Sequence, residues 1–271
     1  MTPVSIGPEI HAVSPVNVFG KICGGKISII QVKNVDHIDV SLQESKGGKL
    51  GMNFTEHLRE VTDHLWAREQ QHPFINEIGS GDLDLERFRY FMKQDYLFLI
   101  EFCKVISLAI PRCETVPDMA WFSRLLDETL NKEMELHTSF CGDFGITTNE
   151  LMETEMSPTT YAYTRHLLQI AYSSGPTDIA TAILPCSWGY SELGKMLHAN
   201  GLPEHAPLYS RWIRMYSSDE FADLACWLRD FIDRGSIFYN DSRKQTLAKI
   251  FRLSSEYEYQ FWDAAYRMES W

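Results

Sequence analysis

The stretch Phe54-Thr55-Glu56-His57-Leu58-Arg59-Glu60-Val61-Thr62-Asp63-His64-Leu65-Trp66 decides how the chain is read. Leu58, Val61, Leu65 and Trp66 fall three or four residues apart, the spacing that lines up side chains on one face of an α-helix. Thr55 stands ahead of them as the expected N-cap. The same period persists towards the C-terminus. A second helix is expected after Asp82 or Asp84, running through Phe88, Phe91, Tyr96 and Leu99 to Pro111. A third covers about 117–140, and Ser157-Pro158 opens a fourth, with serine as cap and proline in the first turn. Others are expected at about 177–199, 207–216, 219–234 and 243–268, with Gly145, Gly175 and Gly201 at the joints. No alternating strand pattern and no internal repeat follows residue 52. The expected fold is all-α, a bundle of about eight helices sharing one core over 52–271.

Upstream the composition changes. Residues 1–51 are rich in Gly, Val, Ile and Ser and hold two β-like runs, Lys26–Val32 and Val35–Leu42, bracketed by Gly24-Gly25 and Gly47-Gly48. Two isolated strands are marginal without a cover. A short irregular or β-like N-terminal extension is expected, either loosely attached or docked as a hairpin. The glycine-rich run 20–25 does not lead a strand into a helix, so a phosphate-binding loop fails on context.

A chain of 271 residues with 44% hydrophobic and 13% aromatic content can bury a large core. Its net charge of -12 argues against nucleic acid and against an anionic membrane surface as partners. Neither a secretory leader nor an apolar run long enough to span a bilayer is apparent, so a cytoplasmic protein is expected. Six cysteines are scattered without a CxxC pair, which reads as free thiols in a reducing compartment and speaks against structural zinc.

Three segments carry possible chemistry. In Ile183-Leu184-Pro185-Cys186-Ser187-Trp188-Gly189-Tyr190 a proline within a helix costs a backbone hydrogen bond. Placed one residue before a cysteine, it suggests that the thiol is being aimed, and Tyr190 shares its helix face. An inert cysteine in a bent core helix is the alternative. Asp95 and Phe98 put a carboxylate and a ring on one face of an apolar helix, where an acid needs a partner or a purpose; Arg165 or Lys104 could pair with it. Glu258 and Phe261 sit among Tyr257, Tyr259 and Trp262, either a solvated acidic face or a lined pocket. Aromatics with carboxylates and a thiolate nucleophile suit a flat, nitrogen-rich ring. A di-iron site wants two Glu-x-x-His repeats, and only Glu69–His72 occurs, followed at once by Pro73. Glu133 and His137 have helical spacing but no matching pair, and no convincing axial histidine for haem is present.

These segments, together with His72-Pro73-Phe74, Lys93-Gln94-Asp95, Glu133–His137, Ser157–Thr164 and Ala265-Tyr266-Arg267, resemble the TenA family of thiaminase II proteins from about Phe54 to Trp271. The resemblance implies a haem-oxygenase-like multi-helix bundle without haem, assembled as a homotetramer. It implies hydrolysis of 4-amino-5-aminomethyl-2-methylpyrimidine to the hydroxymethyl compound used in thiamin salvage, with thiamin as a second small-molecule substrate and no cofactor or metal. By position, Cys186 corresponds to the nucleophile, Glu258 to the acid/base at a ring nitrogen, and Asp95 to the group holding the ring amino substituent. Tyr163, Tyr190, Tyr216 and Phe261 correspond to pocket-lining positions. Phe98 stands where better-known members carry tyrosine, which removes a hydroxyl contact and keeps the ring. A non-catalytic pyrimidine-binding or regulatory protein on the same scaffold, and a metal-dependent oxidase of a related fold, are the alternatives.

Overall fold

The computed structural model describes residues 52–271; the extension expected at 1–51 lies outside the described residues. Twelve α-helices and no strand occur among them: α1 (Phe54–Val61), α2 (Asp63–Gln70), α3 (Pro73–Ser80), α4 (Leu85–Ala109), α5 (Val116–Asp127), α6 (Met134–Asp143), α7 (Thr148–Glu153), α8 (Pro158–Ser173), α9 (Pro176–Asn200), α10 (Pro207–Tyr216), α11 (Asp219–Ser236) and α12 (Asp241–Arg267).

Helix starts follow capping chemistry. Asp84 accepts from the Glu86 and Arg87 amides to open α4, and Ser157 accepts from Thr160 N ahead of Pro158. At the first helix the cap is Asn53, which forms a capping box with Glu56, and not Thr55. Thr55 lies inside the helix, where its backbone amide and hydroxyl donate to Asp233 at 2.8 and 2.9 Å. The expected single helix through Trp66 breaks at Thr62, whose hydroxyl donates back to Leu58 O at 2.8 Å. His72 caps α3 by accepting from Phe74 N through Nδ1, so this histidine serves the backbone. The expected helix at 117–140 is continuous but changes pitch: a six-residue π segment, Glu128–Glu133, joins α5 to α6. Such wide turns shift every later side chain around the helix axis and recur at functional sites.

Helix α9 occupies the middle of the bundle, packing chiefly on α11 and α12 and then on α10 and α8. It stays helical through Pro185, and nearly all of its residues from Thr177 to Ser191 are buried. The core it shares is aromatic, with Phe74, Phe91 and Trp262 in mutual contact and Trp212 packed on Trp262. No helix among the described residues is long and apolar enough to cross a membrane.

Gly194 sets how close α10 can come to α9. A β-carbon there would lie 2.5 Å from the Tyr216 carbonyl carbon and 2.7 Å from Ser217 N, against backbone that cannot swing aside. Gly194→Ala is therefore expected to destabilise the protein by about 2–3 kcal/mol, the usual scale of core overpacking. A thermal unfolding curve should show a midpoint lower by roughly 5–10 °C. An unchanged midpoint would mean that the two helices can separate at no cost.

Candidate active site

Side chains from α2, α4, α6, α8, α10, α12 and the π segment gather around Cys186 on α9. The thiol, on α9, lies within electrostatic reach of the carboxyl of Glu258 from α12, which accepts a very short bond from the Tyr163 hydroxyl of α8. Asp95, from α4, is buried and meets the imidazole of His137: Nε2 lies 3.1 Å from Oδ2. The other His137 nitrogen faces Cys141 Sγ at 3.5 Å, so the ring is held at both ends. Glu133 emerges from the last turn of the π segment, accepts from Thr129, and lies within electrostatic reach of both Asp95 and His137.

The walls are rings. Tyr190 packs on Tyr216 at 4.8 Å and on Trp262 at 5.0 Å between ring centroids. Phe98 lies 5.1 Å from Tyr163 and 5.9 Å from Phe261. Tyr163, Tyr190, Tyr216, Phe98 and Phe261 are all buried, while Cys186 is partly buried. The structure thus brings together all eight residues singled out in the sequence. Two surface depressions, one around Phe54 and Lys244 and another around Arg59 and Trp188, are lined by other residues.

Electrostatically the cluster is a set of acids with little to neutralise them. Burial, then the neighbouring charge of Asp95, raises Glu258 to about 8, although the hydrogen bonds from Tyr163 and Cys186 pull the other way. Burial and Asp95 likewise raise Glu133 to about 7. Glu69, on α2, is pushed well above the usual carboxylate range by burial and by Glu258. Burial, then Glu258, Asp95, Glu133 and Glu69, pushes the Cys186 thiol well above its ordinary value. The resting group is consequently a thiol; the thiolate expected from the sequence can form only as its proton leaves. Tyr163, Tyr190 and Tyr216 are raised in the same way, burial first, so they stay neutral donors.

The partners suggested for Asp95 go elsewhere. Arg165 and Lys104 both bind Glu101, one turn and a half further along α4. Glu133 and His137, weighed in the sequence as half of a metal site, instead surround Asp95. Among the described residues no three His, Cys, Asp or Glu side chains are placed to hold a metal ion. Glu133 has no aromatic neighbour that would have marked it, and only its i, i+4 spacing with His137 hinted at a shared inward face; Glu69 has Trp66 one turn before it but stands among charged and polar residues. The structure explains that spacing, because the π turn delivers both to Asp95.

A thiol, a neutral carboxyl and an anchored acid inside an aromatic wall can add sulfur to an electron-poor ring while protonating it. The TENA/THI-4/PQQC family pattern matches residues 59–268. An aminopyrimidine aminohydrolase from Halalkalibacterium halodurans is 38% identical over 221 residues, 81% of this chain and 98% of that protein. A TenA homologue from P. horikoshii OT3 superposes with a TM-score of 0.74 at 28% identity, covering 80% of this chain and 99% of that one. A Shewanella denitrificans OS217 domain of unknown function with a haem-oxygenase-like fold, 12% identical, has a TM-score of 0.63 over 80% of this chain and 93% of that one, and shows the fold alone. With the pattern spanning most of the chain and a relative this similar over nearly its full length, the chain belongs to the TENA/THI-4/PQQC family.

Proposed function

We propose that this protein is an aminopyrimidine aminohydrolase of thiamin salvage, converting 4-amino-5-aminomethyl-2-methylpyrimidine to its hydroxymethyl counterpart and cleaving thiamin as a second substrate. The observation that carries this reading is the contact between the Cys186 thiol and Glu258, with Asp95 facing the same cluster. The 38% identical relative of that name supports it.

In this reading Cys186 is the nucleophile. Its sulfur adds to a ring carbon as Glu258 passes a proton to the adjoining ring nitrogen and receives the thiol proton. The ring thereby loses its aromaticity, and its electrons can expel the substituent on the neighbouring methylene. Asp95 holds the exocyclic amino group; Tyr163 and Phe261 stack or line the ring, with Tyr190 and Tyr216 opposite. Phe98 supplies a ring face where a tyrosine would add a hydroxyl. A homotetramer in the cytoplasm completes the proposal.

The test is ammonia release from the aminomethylpyrimidine, measured beside thiazole release from thiamin. Turnover of the first is expected. Tight binding of the hydroxymethyl product with no turnover of either substrate would instead make the protein a pyrimidine-binding one. A second measurement concerns His137, a positioning residue acting through Asp95. His137→Leu frees that carboxylate to rotate, and KM is expected to rise about 10-fold, the loss of one oriented charge-assisted hydrogen bond. A kcat loss with unaltered KM would contradict this division of labour.

A further inference from the structure

Glu69 is the acid in this cluster whose burial has no evident compensation. It is 3% exposed, and its Oε1 has no hydrogen-bond partner among the described residues. Arg59, the cation near enough to act on it, is already bonded to Asp63 at 2.7 Å and to Glu192 at 3.1 Å. A glutamine of the same shape would avoid the cost of hiding an ionisable group.

Its position is specific. Oε2 lies 3.7 Å from where a β-carbon of Gly189 would stand, and Gly189 is the residue one turn beyond Cys186 on α9. Glycine there leaves the carboxyl uncovered on its α9 side. Glu69 is within electrostatic reach of Cys186, Tyr163 and Glu258. Two of the other acids are occupied, Asp95 by His137 and Glu258 by Tyr163. An oxygen without a partner, beside the nucleophile's helix, is available to a group that arrives with the substrate.

We propose that Glu69 is a further catalytic residue, a neutral carboxylic acid that protonates the departing amine of an aminomethylpyrimidine. The inference rests on the hydrolase reading above. After sulfur adds to the ring, the bond from the methylene carbon to nitrogen breaks and its electron pair stays on nitrogen. The Glu69 proton joins that nitrogen, ammonia leaves, and the ring electrons form a double bond to the methylene. Water then adds to this carbon and returns a proton to the Glu69 carboxylate, while the electron pair goes back to the ring and finally releases the thiol. Burial, then the charge of Glu258, pushes the Glu69 carboxyl well above the usual carboxylate range, the direction a proton donor requires.

Thiamin provides the discriminating comparison. Its leaving nitrogen is quaternary and positively charged, takes the electron pair and departs neutral without a proton. The experiment measures kcat of the full chain and of Glu69→Gln on both substrates, with circular dichroism melts to compare folding. The expected result is a fall of about 100-fold or more on the aminomethyl compound, the scale of one general acid. The ratio of aminomethyl to thiamin rates should drop at least about 20-fold, which a merely structural role would not produce. Equal losses on the two substrates, or retention of both rates, would overturn the assignment. Glu69→Met, of similar length and without an acidic proton, carries the same comparison if the glutamine variant does not fold. A wild-type protein idle on both substrates would instead sink the hydrolase reading, so the two failures are distinguishable.

Discussion

Replacing Cys186 by alanine is expected to lower turnover by about 10⁴-fold or more on either substrate while leaving the fold intact. The size follows from the route. Without sulfur to add to the ring, the ring keeps its aromaticity, no electron pair is released towards the methylene, and neither ammonia nor thiazole has a push behind it. Structural cost should be small, because the thiol is partly buried and its main polar contact is Glu258, which keeps its bond from Tyr163. The variant should bind the hydroxymethyl product nearly as well as the wild type, since Asp95, His137 and the aromatic walls are untouched. Quenched-flow or steady-state assays, paired with a calorimetric binding measurement, separate the two effects. A variant retaining a tenth of the wild-type rate would remove Cys186 as nucleophile and leave the carboxyls to account for the chemistry.

Much of this architecture is visible in the sequence because helical period and capping are local properties. Ser157-Pro158 and Asp84 open their helices through contacts within three residues. The break at Thr62 and the π segment at 128–133 are not visible, since the hydrophobic period runs on through both. Burial of individual acids is similarly hidden. Glu256 and Glu258 are two residues apart on α12, yet Glu256 pairs with Arg252 at the surface while Glu258 is 3% exposed beside Cys186. Asp95 and Glu101 share α4, but the cations that the sequence offered to Asp95 pair with Glu101 instead. Which acid faces inward is settled by the neighbouring helices, information that no single segment contains. Cys186, Asp95 and Glu258 could be singled out because each has an aromatic within one turn; Glu133 lacks that mark, and Glu69, one turn after Trp66, sits in a polar, charged stretch that reads as a solvated face.

The acids set a conflict between stability and chemistry. Glu69, Glu133 and Glu258 each bind a proton more tightly in the folded chain than in the unfolded one. Between the ordinary carboxylate value and their raised values the folded state therefore holds more protons, and stability falls as pH rises. A chain selected only for stability would fill these positions with neutral residues. Their retention around one thiol indicates a task that needs protons held ready in a site shielded from water.

Glu258→Gln tests that conflict most directly, because it should improve the fold and ruin the enzyme. Rate comes first. The wild-type carboxyl, raised to about 8, is protonated at neutral pH and can supply the ring nitrogen. Activity should accordingly decline as pH climbs through about 8. Glutamine keeps an oxygen for Tyr163 but has no proton to exchange, so the rate at pH 7 should fall about 10³-fold. Stability moves the other way. The wild-type Glu258 binds its proton from the usual carboxylate value of 4.5 up to about 8 in the folded state, so its contribution is intact below 4.5 and is lost progressively across that window. The glutamine variant has no such loss, and at pH 8 it should be more stable than the wild type by about 2 kcal/mol or more. Denaturant titrations of both proteins at pH 5 and pH 8 would show the difference growing with pH. A variant that is fast, or one whose stability differs from the wild type by the same amount at both pH values, would mean that Glu258 is already ionised at rest and that the proton for the ring comes from another group.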